Sequence, residues 1–98
     1  MAATFFAHEF DWDEHNVHKN WRKHGVRFTE CEDVFFDERL ITLPDVMHSE
    51  KEARHLALGQ TREGRLLFIA FTVRADKIRV ISARDMTKKE KNVYYEKT

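Results

Sequence analysis

The sequence has 98 residues, of which 42% are hydrophobic and 12% aromatic, so it has the size of one domain and is too apolar for a disordered chain. Its 17 basic and 17 acidic residues cancel to a formal net charge of zero, which excludes a simple polybasic nucleic-acid arm. We therefore expect a single domain over residues 1–98 with one hydrophobic core.

The charges are distributed unevenly along the chain. Residues 1–52 carry six Lys or Arg and twelve Asp or Glu, a net charge of −6, whereas residues 74–98 carry eight and four, a net charge of +4. If the fold segregates these parts, the basic part forms a surface for an anionic partner. If the fold interleaves them, the surface is mixed and solvated, and charge alone favours this second interpretation.

The cysteine content and the hydropathy pattern indicate the cellular compartment. Cys31 is the only cysteine, so the chain can form neither an intramolecular disulfide nor a multi-cysteine zinc site. Residues 1–7 have no basic segment and too short an apolar run for a signal peptide. The longest apolar stretch, residues 66–71, is far shorter than the roughly 20 residues of a membrane span. We expect a soluble, cytoplasmic protein.

The first predicted elements are a strand and a helix. Residues 6–12 alternate partly between apolar and polar side chains and predict an edge strand. Asp13 is a suitable N-cap for a helix that ends at about His24, where Gly25 would provide the left-handed C-terminal residue. We expect Val17 and Trp21, which lie four residues apart, to share the buried face of this helix.

A second helix is predicted from Thr29, because Thr29 and Glu32 have the spacing of a capping box. Its apolar stripe, with the i, i+3, i+4 spacing of a buried face, consists of Cys31, Val34 and Phe35. This position makes Cys31 a core residue and not a nucleophile.

The remaining chain predicts strands and a final helix. A short β-rich run over residues 40–43 ends at Pro44, residues 44–52 form a polar loop, strands follow over residues 54–58, 65–73 and 77–83, and the hairpin turns are at 60–64 and 74–76. In the last strand, alternation predicts Ile78, Val80 and Ser82 on one face and Arg79, Ile81 and Ala83 on the other.

A capping box formed by Thr87 and Glu90 opens the final helix, which ends at about Glu96 and docks through Val93 and Tyr94. Strands that follow one another, with helices before and after them, indicate an α+β fold. It consists of a single antiparallel sheet with N-terminal helices and a C-terminal helix packed on it.

The basic residues of the last strand and its exit are the strongest candidates for a functional surface. They are Lys77, Arg79, Arg84, Lys88 and Lys89, and Arg54 can join them across the sheet. Guanidinium groups suit phosphate because each offers a planar fork that stays charged. The alternative is that these are solvated charges paired with Asp76, Asp85 and Glu90.

Other kinds of chemistry find little support in the sequence. His15 and His18 are spaced i, i+3, and His48 and His55 flank a strand start, but neither pair forms a recognised motif, so no metal site and no cofactor are predicted. The sequence contains no GxSxG motif and no P-loop. Trp12 and Trp21 are expected to be core and packing residues.

An ordered set of short motifs resembles the BrnT family of type II toxins over residues 8–96. The set consists of Phe10-Asp11-Trp12-Asp13, Asn20, Lys23-His24-Gly25-Val26-Arg27-Phe28, Val34-Phe35, His48-Ser49-Glu50 with Glu52 and Arg54, Leu58-Gly59, Ile78-Arg79-Val80-Ile81-Ser82-Ala83-Arg84, Lys89-Glu90 and Tyr94. One departure is Asn16, because many members carry a lysine at this place in the first helix, and Lys19 is a possible substitute.

The resemblance implies a RelE-like fold and a ribonuclease that blocks translation by cutting RNA. It also implies a cognate BrnA-like antitoxin, whose ribbon-helix-helix part binds operator DNA, so that the toxin reaches DNA indirectly. Two other functions stay open. One is a non-catalytic toxin-like module that binds its antitoxin and acts in operon repression, for which Asn16 leaves room. The other is a metal-dependent enzyme, which only the histidines suggest.

The residues can be fitted to metal-free RNA cleavage, which needs a base, an acid and cations for the developing phosphorane charge. Arg79 and Arg84, with Arg54 as a third, are expected to stabilise the phosphate and the transition state. His24 is the candidate for proton transfer, and Glu90 is the alternative base. Flanking phosphates are expected to bind the lysines Lys77, Lys88 and Lys89.

Overall fold

The computed structural model describes residues 9–97, which form three α-helices and four β-strands. The elements are α1 (Glu14–His24), α2 (Phe28–Phe35), β1 (Ile41–Pro44), a 3₁₀ turn (Val46–His48), β2 (His55–Gln60), β3 (Leu66–Arg74), β4 (Lys77–Asp85) and α3 (Lys88–Glu96). The strands pair antiparallel in the order β1-β2-β3-β4. The predicted α+β fold is therefore confirmed, and strand and helix bounds agree within a few residues.

The two faces of the sheet have different covers. The main core lies under α2 and contains buried residues of β2, β3 and β4, among them Ala57, Ile69 and Val80. A smaller cluster on the other face joins Leu58, Met86 and Tyr94, so α3 covers one end of that face. We call the rest of this face the open face; it carries Leu56, Phe68, Ala70, Thr72, Arg79, Ser82 and Arg84.

The ends of α1 are those that the sequence predicts. The backbone N–H of Asn16 donates to Asp13 Oδ1 at 3.0 Å, and the N–H of Asp13 donates to Asn16 Oδ1 at 2.8 Å, which closes a capping box. Gly25 has φ +62°, and its N–H donates to the carbonyl of Trp21 at 3.0 Å. Glycine adopts this left-handed conformation without the clash of a Cβ atom.

The predicted buried face of α1 is wrong. Trp21 is 52% exposed and Val17 is only partly buried, whereas Asn16 and Asn20 are each 3% exposed. The reason is that α1 packs against the backbone edge of β4 and not only against apolar side chains. Asn16 Nδ2 donates to the Val80 carbonyl at 3.4 Å, and Asn20 Oδ1 accepts from the N–H of Ala83 at 3.1 Å.

Other groups also form hydrogen bonds with the exposed backbone edge of β4. Lys19 Nζ donates to the Ile81 carbonyl at 3.3 Å. The N–H of Ile78 donates to the Glu9 carbonyl at 3.0 Å, and its carbonyl accepts from the N–H of Asp11 at 2.8 Å. An exposed edge strand offers unpaired backbone groups to other chains, and here amide side chains and the N-terminal segment satisfy those groups instead.

The predicted N-terminal strand is not formed as expected. Residues 6–8 of the prediction lie outside the described residues. Between residues 9 and 12 the segment forms one parallel bridge, from Phe10 to Ile78, and no regular strand. Two backbone hydrogen bonds to a single residue of β4 are too few to extend a ladder.

Helix α2 begins at Phe28, one residue before the predicted capping residue, so the predicted capping box is also wrong. The N–H of Arg27 donates to Glu30 Oε1 at 2.9 Å, and Glu32 accepts a hydrogen bond from Trp12 Nε1 at 2.8 Å. The predicted apolar stripe is confirmed, since Cys31 and Val34 are fully buried and Phe35 packs against the core.

Gly59 allows α2 to approach the sheet closely. A Cβ atom at this position would lie 2.7 Å from Val34 Cγ1 and 3.1 Å from the Val34 carbonyl oxygen. Heavy atoms do not pack at 2.7 Å in protein interiors, so a side chain here would displace the helix.

A β-bulge in β4 changes the predicted alternation. Phe71 pairs with Val80 and Ala70 with Ser82, so Ile81 is the extra residue. Ile78, Val80 and Ala83 are consequently buried on the α2 side, and Arg79, Ser82 and Arg84 share the open face. The expectation that Ser82 and Ala83 continue the alternation of Ile78 and Arg79 is therefore wrong, since one inserted residue reverses every later side chain.

The structure of helix α3 confirms its predicted capping box and its predicted docking residues. The N–H of Glu90 donates to Thr87 Oγ1 at 3.2 Å, and Glu90 Oε1 accepts from the N–H of Thr87 at 2.9 Å. Tyr94 is fully buried, and its hydroxyl donates to Asp37 Oδ2 at 2.6 Å. Val93 is half-buried against the same cluster. Within residues 9–97, none of the helices has the length and apolar content needed to cross a bilayer.

Candidate functional site

The bulge brings Arg79 and Arg84 onto the same face of the sheet but not to the same point. Arg79 is opposite Thr72 and Arg84 is opposite Phe68, four residues apart on β3. At about 3.3 Å per residue the two strand positions are roughly 13 Å apart. We call the two places the turn end, near the β3–β4 turn, and the helix end, near α3.

At the helix end, Arg84 is fixed by a carboxylate and a ring. Its guanidinium donates to both oxygens of Glu90, at 2.8 and 2.9 Å, and stacks 4.1 Å from the centroid of the Phe68 ring. The hydrogen bonds from Arg84 hold the pKa of Glu90 below its ordinary value. Glu90 is therefore well placed to orient Arg84, and its ionised form is a weak base near neutral pH.

At the turn end, Arg79 lies against carboxylates of the N-terminal segment. Its Nη2 donates to Asp13 Oδ2 at 2.8 Å, and its Nη1 is 3.5 Å from Asp11 Oδ2. The pKa of Asp13 is lowered first by the backbone N–H of Asn16 and then by Arg79. An RNA phosphate that binds Arg79 would have to replace these carboxylates, because both kinds of anion use the same donors.

Arg54 belongs to the turn end as well. It precedes His55, which pairs with Phe71 on the core side, so alternation places Arg54 toward the open face. Glu52 lies among three arginines: Arg74 donates to it at 2.8 Å and lowers its pKa, and Arg54 and Arg79 interact with it electrostatically. Among the residues that the structure describes, no carboxylate lies within 4 Å of the Arg54 guanidinium.

The other predicted site residues are more dispersed. Lys77 Nζ is 3.9 Å from Glu9 Oε2, and Lys88 and Lys89 are exposed in the first turn of α3. His24 is exposed at the end of α1, and its carbonyl accepts from Arg65 Nη2 at 3.2 Å. It interacts electrostatically with Asp85, which pairs with the core residue Leu67, so His24 lies on the α2 side of the sheet and not on the open face with Arg79 and Arg84.

The carboxylates that neutralise the basic residues differ from those that the sequence suggests. Of the three expected partners, Glu90 alone pairs with a residue of the basic set, while Asp85 binds Arg65 at 2.7 Å. The remaining pairs use Glu9, Asp11 and Asp13 from the acidic front part. The fold therefore interleaves the two charged parts at the β4 edge, as charge alone favoured.

Cys31 and the tryptophans agree only in part with their predicted roles. Burial raises the pKa of the Cys31 thiol to about 12, so the thiolate that a nucleophile requires is not available. The ring of Trp12 packs between Phe10 and Phe28, as expected. Trp21 is not a core residue, because its ring is exposed beneath the Arg27 guanidinium. In the part of the chain from residue 9 to 97, no three His, Cys, Asp or Glu side chains converge as metal ligands would.

Lowering the pH below 5 is expected to reduce the free energy of unfolding, in part through Glu90. Because Arg84 lowers the pKa of Glu90 in the folded chain, the pair stabilises the fold above the unfolded value of about 4.3. That contribution is lost as the pH falls through the folded value. Both side chains are partly exposed, so we expect about 0.5 kcal/mol, measured by urea unfolding at pH 6, 4 and 3.

The variant Glu90→Gln should show a correspondingly weaker pH dependence over this range. Glu96→Gln is the matched control, since Glu96 is exposed on the same helix. Equal pH dependence in Glu90→Gln and Glu96→Gln would contradict the assignment.

Taken together, these features define a small α+β domain with arginines along the open face of an antiparallel sheet. A family model described as "Ribonuclease toxin, BrnT, of type II toxin-antitoxin system" matches residues 12–90. The chain therefore belongs to the BrnT family of ribonuclease toxins, which confirms the resemblance seen in its motifs. Membership of a type II toxin–antitoxin family implies an antitoxin as partner.

A solved structure shares this fold. The 1.1 Å crystal structure of the Brucella abortus ribonuclease toxin, BrnT, matches with a TM-score of 0.62 and 22% sequence identity, covering 82% of this chain and 97% of that chain. At this identity the likeness concerns the fold alone. A search of the curated proteins finds no match.

Proposed function

We propose that this protein is a toxin endoribonuclease that cleaves RNA without a metal ion and thereby inhibits translation. The observation that supports the proposal best is the bulge in β4, which aligns Arg79 and Arg84 on one open face. Two guanidinium groups that extend from strand positions about 13 Å apart can hold a single strand by separate phosphates. The family that the chain belongs to supplies the reaction class.

In the proposed reaction the 2′-oxygen of a ribose attacks the adjacent phosphorus while the bond from phosphorus to the 5′-oxygen breaks. A base accepts the 2′-hydroxyl proton, and an acid gives a proton to the leaving 5′-oxygen. The products are a 2′,3′-cyclic phosphate and a 5′-hydroxyl. Arg54, Arg79 and Arg84 are the proposed cations for the phosphate and transition state, because negative charge grows on the phosphoryl oxygens.

Proton transfer remains assigned to His24, with Glu90 as the alternative base. Glu90 lies at the helix end in contact with Arg84, whereas His24 lies near Asp85 on the α2 side of the sheet. Lys77, Lys88 and Lys89 are proposed to bind flanking phosphates, since all three are exposed at the margins of the open face.

The proposed partner is a BrnA-like antitoxin with a ribbon-helix-helix part. It would neutralise the toxin and bind operator DNA, so that the toxin reaches DNA through the antitoxin. The family description supports an antitoxin, and the open face is the surface that such a partner would have to block.

Expression of the chain without an antitoxin is expected to arrest growth, and the purified chain is expected to cut mRNA in a cell-free translation reaction. Cleavage should persist in EDTA, because the proposed cations are arginines. The ends of the fragments, mapped by primer extension and by sensitivity to phosphatase, should be 2′,3′-cyclic phosphates and 5′-hydroxyls. Cleavage that stops in EDTA and returns with a divalent cation would contradict the metal-free mechanism.

The second candidate is a non-catalytic module that binds its antitoxin and contributes to operon repression. Two observations favour it: Arg79 and Arg84 are already paired with carboxylates, and Asn16 serves the capping box and the β4 edge. A purified chain that leaves RNA intact from pH 5 to 9, yet forms a DNA-bound complex with the antitoxin, would select this function.

A further inference from the structure

The loop between β1 and β2 is closed by three hydrogen bonds. The N–H of Asp45 donates to the Arg54 carbonyl at 2.9 Å, which joins the two ends of the loop. Ser49 Oγ donates to the Asp45 carbonyl at 2.6 Å and accepts from the N–H of Arg54 at 3.0 Å. These hydrogen bonds fix the loop backbone at Asp45, Ser49 and Arg54, and they thereby position the side chains of the residues between them.

His48 is oriented within this loop by a carboxylate. Its Nδ1 lies 3.0 Å from Asp45 Oδ2 and 3.2 Å from Asp45 Oδ1. An ionised carboxylate only accepts hydrogen bonds, so in the neutral ring Nδ1 carries the proton and Nε2 has the free electron pair. The Asp45 side chain is 14% exposed and that of His48 is 66% exposed, so the orienting group is sheltered and the ring is accessible.

The imidazole and Arg54 line the same cavity. The cavity has a volume of about 380 Å³ and is lined by Met47, His48, Glu50, Lys51, Glu52 and Arg54. Arg54 is the arginine of the proposed site that has no carboxylate within 4 Å among residues 9–97, so its fork is available to a phosphate. Glu52 connects the cavity to the turn end, because it interacts with Arg54, Arg74 and Arg79.

We infer that His48, positioned by Asp45, is the group that accepts the 2′-hydroxyl proton in RNA cleavage, with the reacting phosphate held by Arg54 at this cavity. The inference rests on the proposed ribonuclease function, and it assigns the proton-accepting role to His48 in place of His24 or Glu90. His48 Nε2 takes the proton as the bond from the 2′-oxygen to phosphorus forms. The 5′-oxygen leaves with its electron pair and takes a proton from water.

The positions of His24 and Glu90 make them less suitable than His48 as the proton acceptor for a phosphate held by Arg54. His24 interacts electrostatically with Asp85, which pairs with the core residue Leu67 and therefore faces the α2 side of the sheet. Arg54 faces the open face, so His24 and a phosphate held by Arg54 lie on opposite sides of the sheet. Glu90 is occupied by Arg84 and by the N–H of Thr87.

The charges around His48 are mixed. The acidic residues near it are Asp45, Glu50 and Glu52, and the basic residues are Lys51 and Arg54. Asp45 is accordingly a positioning residue that acts through the imidazole and does not touch the substrate.

The test uses the purified full chain and a fluorescein-labelled, mixed-sequence single-stranded RNA, with kcat/KM measured from pH 5 to 9. His48→Gln is expected to lower kcat/KM about 100-fold or more and to remove the acidic limb of the pH profile. Asp45→Asn is expected to lower it about 10-fold and to move that limb to lower pH. His15→Gln and His18→Gln, on the exposed face of α1, are matched controls and should behave as wild type.

Two results would overturn the inference while leaving the proposed function standing. One is a His48→Gln chain that cleaves at the wild-type rate with an unchanged limb. The other is loss of the limb in His24→Gln or Glu90→Gln but not in His48→Gln. A wild-type chain that leaves RNA intact, in free form and in a translation reaction, would instead remove the proposed function and this inference with it.

Discussion

Arg79→Ala is expected to lower the rate of RNA cleavage by about 100- to 1,000-fold, the usual cost of removing one donor that stabilises a transition-state anion. Arg79 is suited to this role because its side chain lies on the open face at the turn end, where it is only 19% exposed and interacts with Glu52. In cells, the same substitution should relieve the growth arrest that the wild-type chain causes.

We expect Arg79→Ala to lower the rate of cleavage without unfolding the chain. The pairs that Arg79 forms with Asp13 and Asp11 are partly exposed, so their removal costs no more than about 1 kcal/mol. Arg79→Lys keeps the charge but loses the planar fork, and it should fall between wild type and Arg79→Ala.

Arg62→Ala is the matched control for Arg79→Ala. The Arg62 side chain is 89% exposed and lies 3.9 Å from Asp33 of α2, away from the open face. Cleavage and toxicity should therefore stay at wild-type levels. If Arg79→Ala were as active and as toxic as Arg62→Ala, the role of the turn end in catalysis would be wrong.

Asn20→Ala is expected to reduce the free energy of unfolding by about 2 kcal/mol. The substitution removes the acceptor for the buried N–H of Ala83 and the donor to the Asn16 carbonyl. A buried donor without a partner costs about 1–3 kcal/mol, and the better helix propensity of alanine returns only about 0.5 kcal/mol. In a domain of this size the melting temperature should fall by about 10 °C.

Asn92→Ala is the matched control for Asn20→Ala, because Asn92 is an exposed asparagine on helix α3. Its free energy of unfolding should change by less than about 0.5 kcal/mol. Urea and thermal unfolding measure both variants. If Asn20→Ala were no less stable than Asn92→Ala, the N–H of Ala83 would not depend on the side chain of Asn20.

Asn16 illustrates how a polar residue can be structural where sequence comparison suggests a catalytic position. Its amide caps α1 through Asp13 and reaches the Asp11 and Val80 carbonyls at 3.0 and 3.4 Å. Lys19, which the sequence suggests as a substitute for the family lysine, donates to the Ile81 carbonyl. Both side chains are engaged with the β4 edge, so the proposed chemistry is assigned to other residues.

Acidic and basic residues, which cancel in the net charge of the chain, lie next to each other at the β4 edge. The acidic residues Glu9, Asp11 and Asp13 lie against Lys77 and Arg79, so the negative and positive parts of the chain meet there. The −6 and +4 segments therefore do not form separate surfaces. Arg79 and Arg84 each pair with a carboxylate, whereas Arg54 has none within 4 Å among the described residues.

Features that depend on neighbouring residues could be predicted from the amino-acid sequence. Asp13 and Gly25 bound α1, and Thr87 with Glu90 opens α3, because capping hydrogen bonds act within one helical turn. Hydrophobic periodicity located β2, β3 and β4 and the apolar stripe of α2. The ordered motifs were enough to indicate the family.

The way in which those elements pack together depends on contacts that form only in the folded chain. The burial of Asn16 and Asn20 depends on the free backbone groups of β4, and these exist only once β4 becomes the last strand of the sheet. The bulge at Ile81 depends on the pairing of β4 with β3, and it places Arg79 and Arg84 on one face. The physical reason is that the docking of α1 joins residues about 60 positions apart and the bulge depends on pairing between two strands, and no local pattern records either contact.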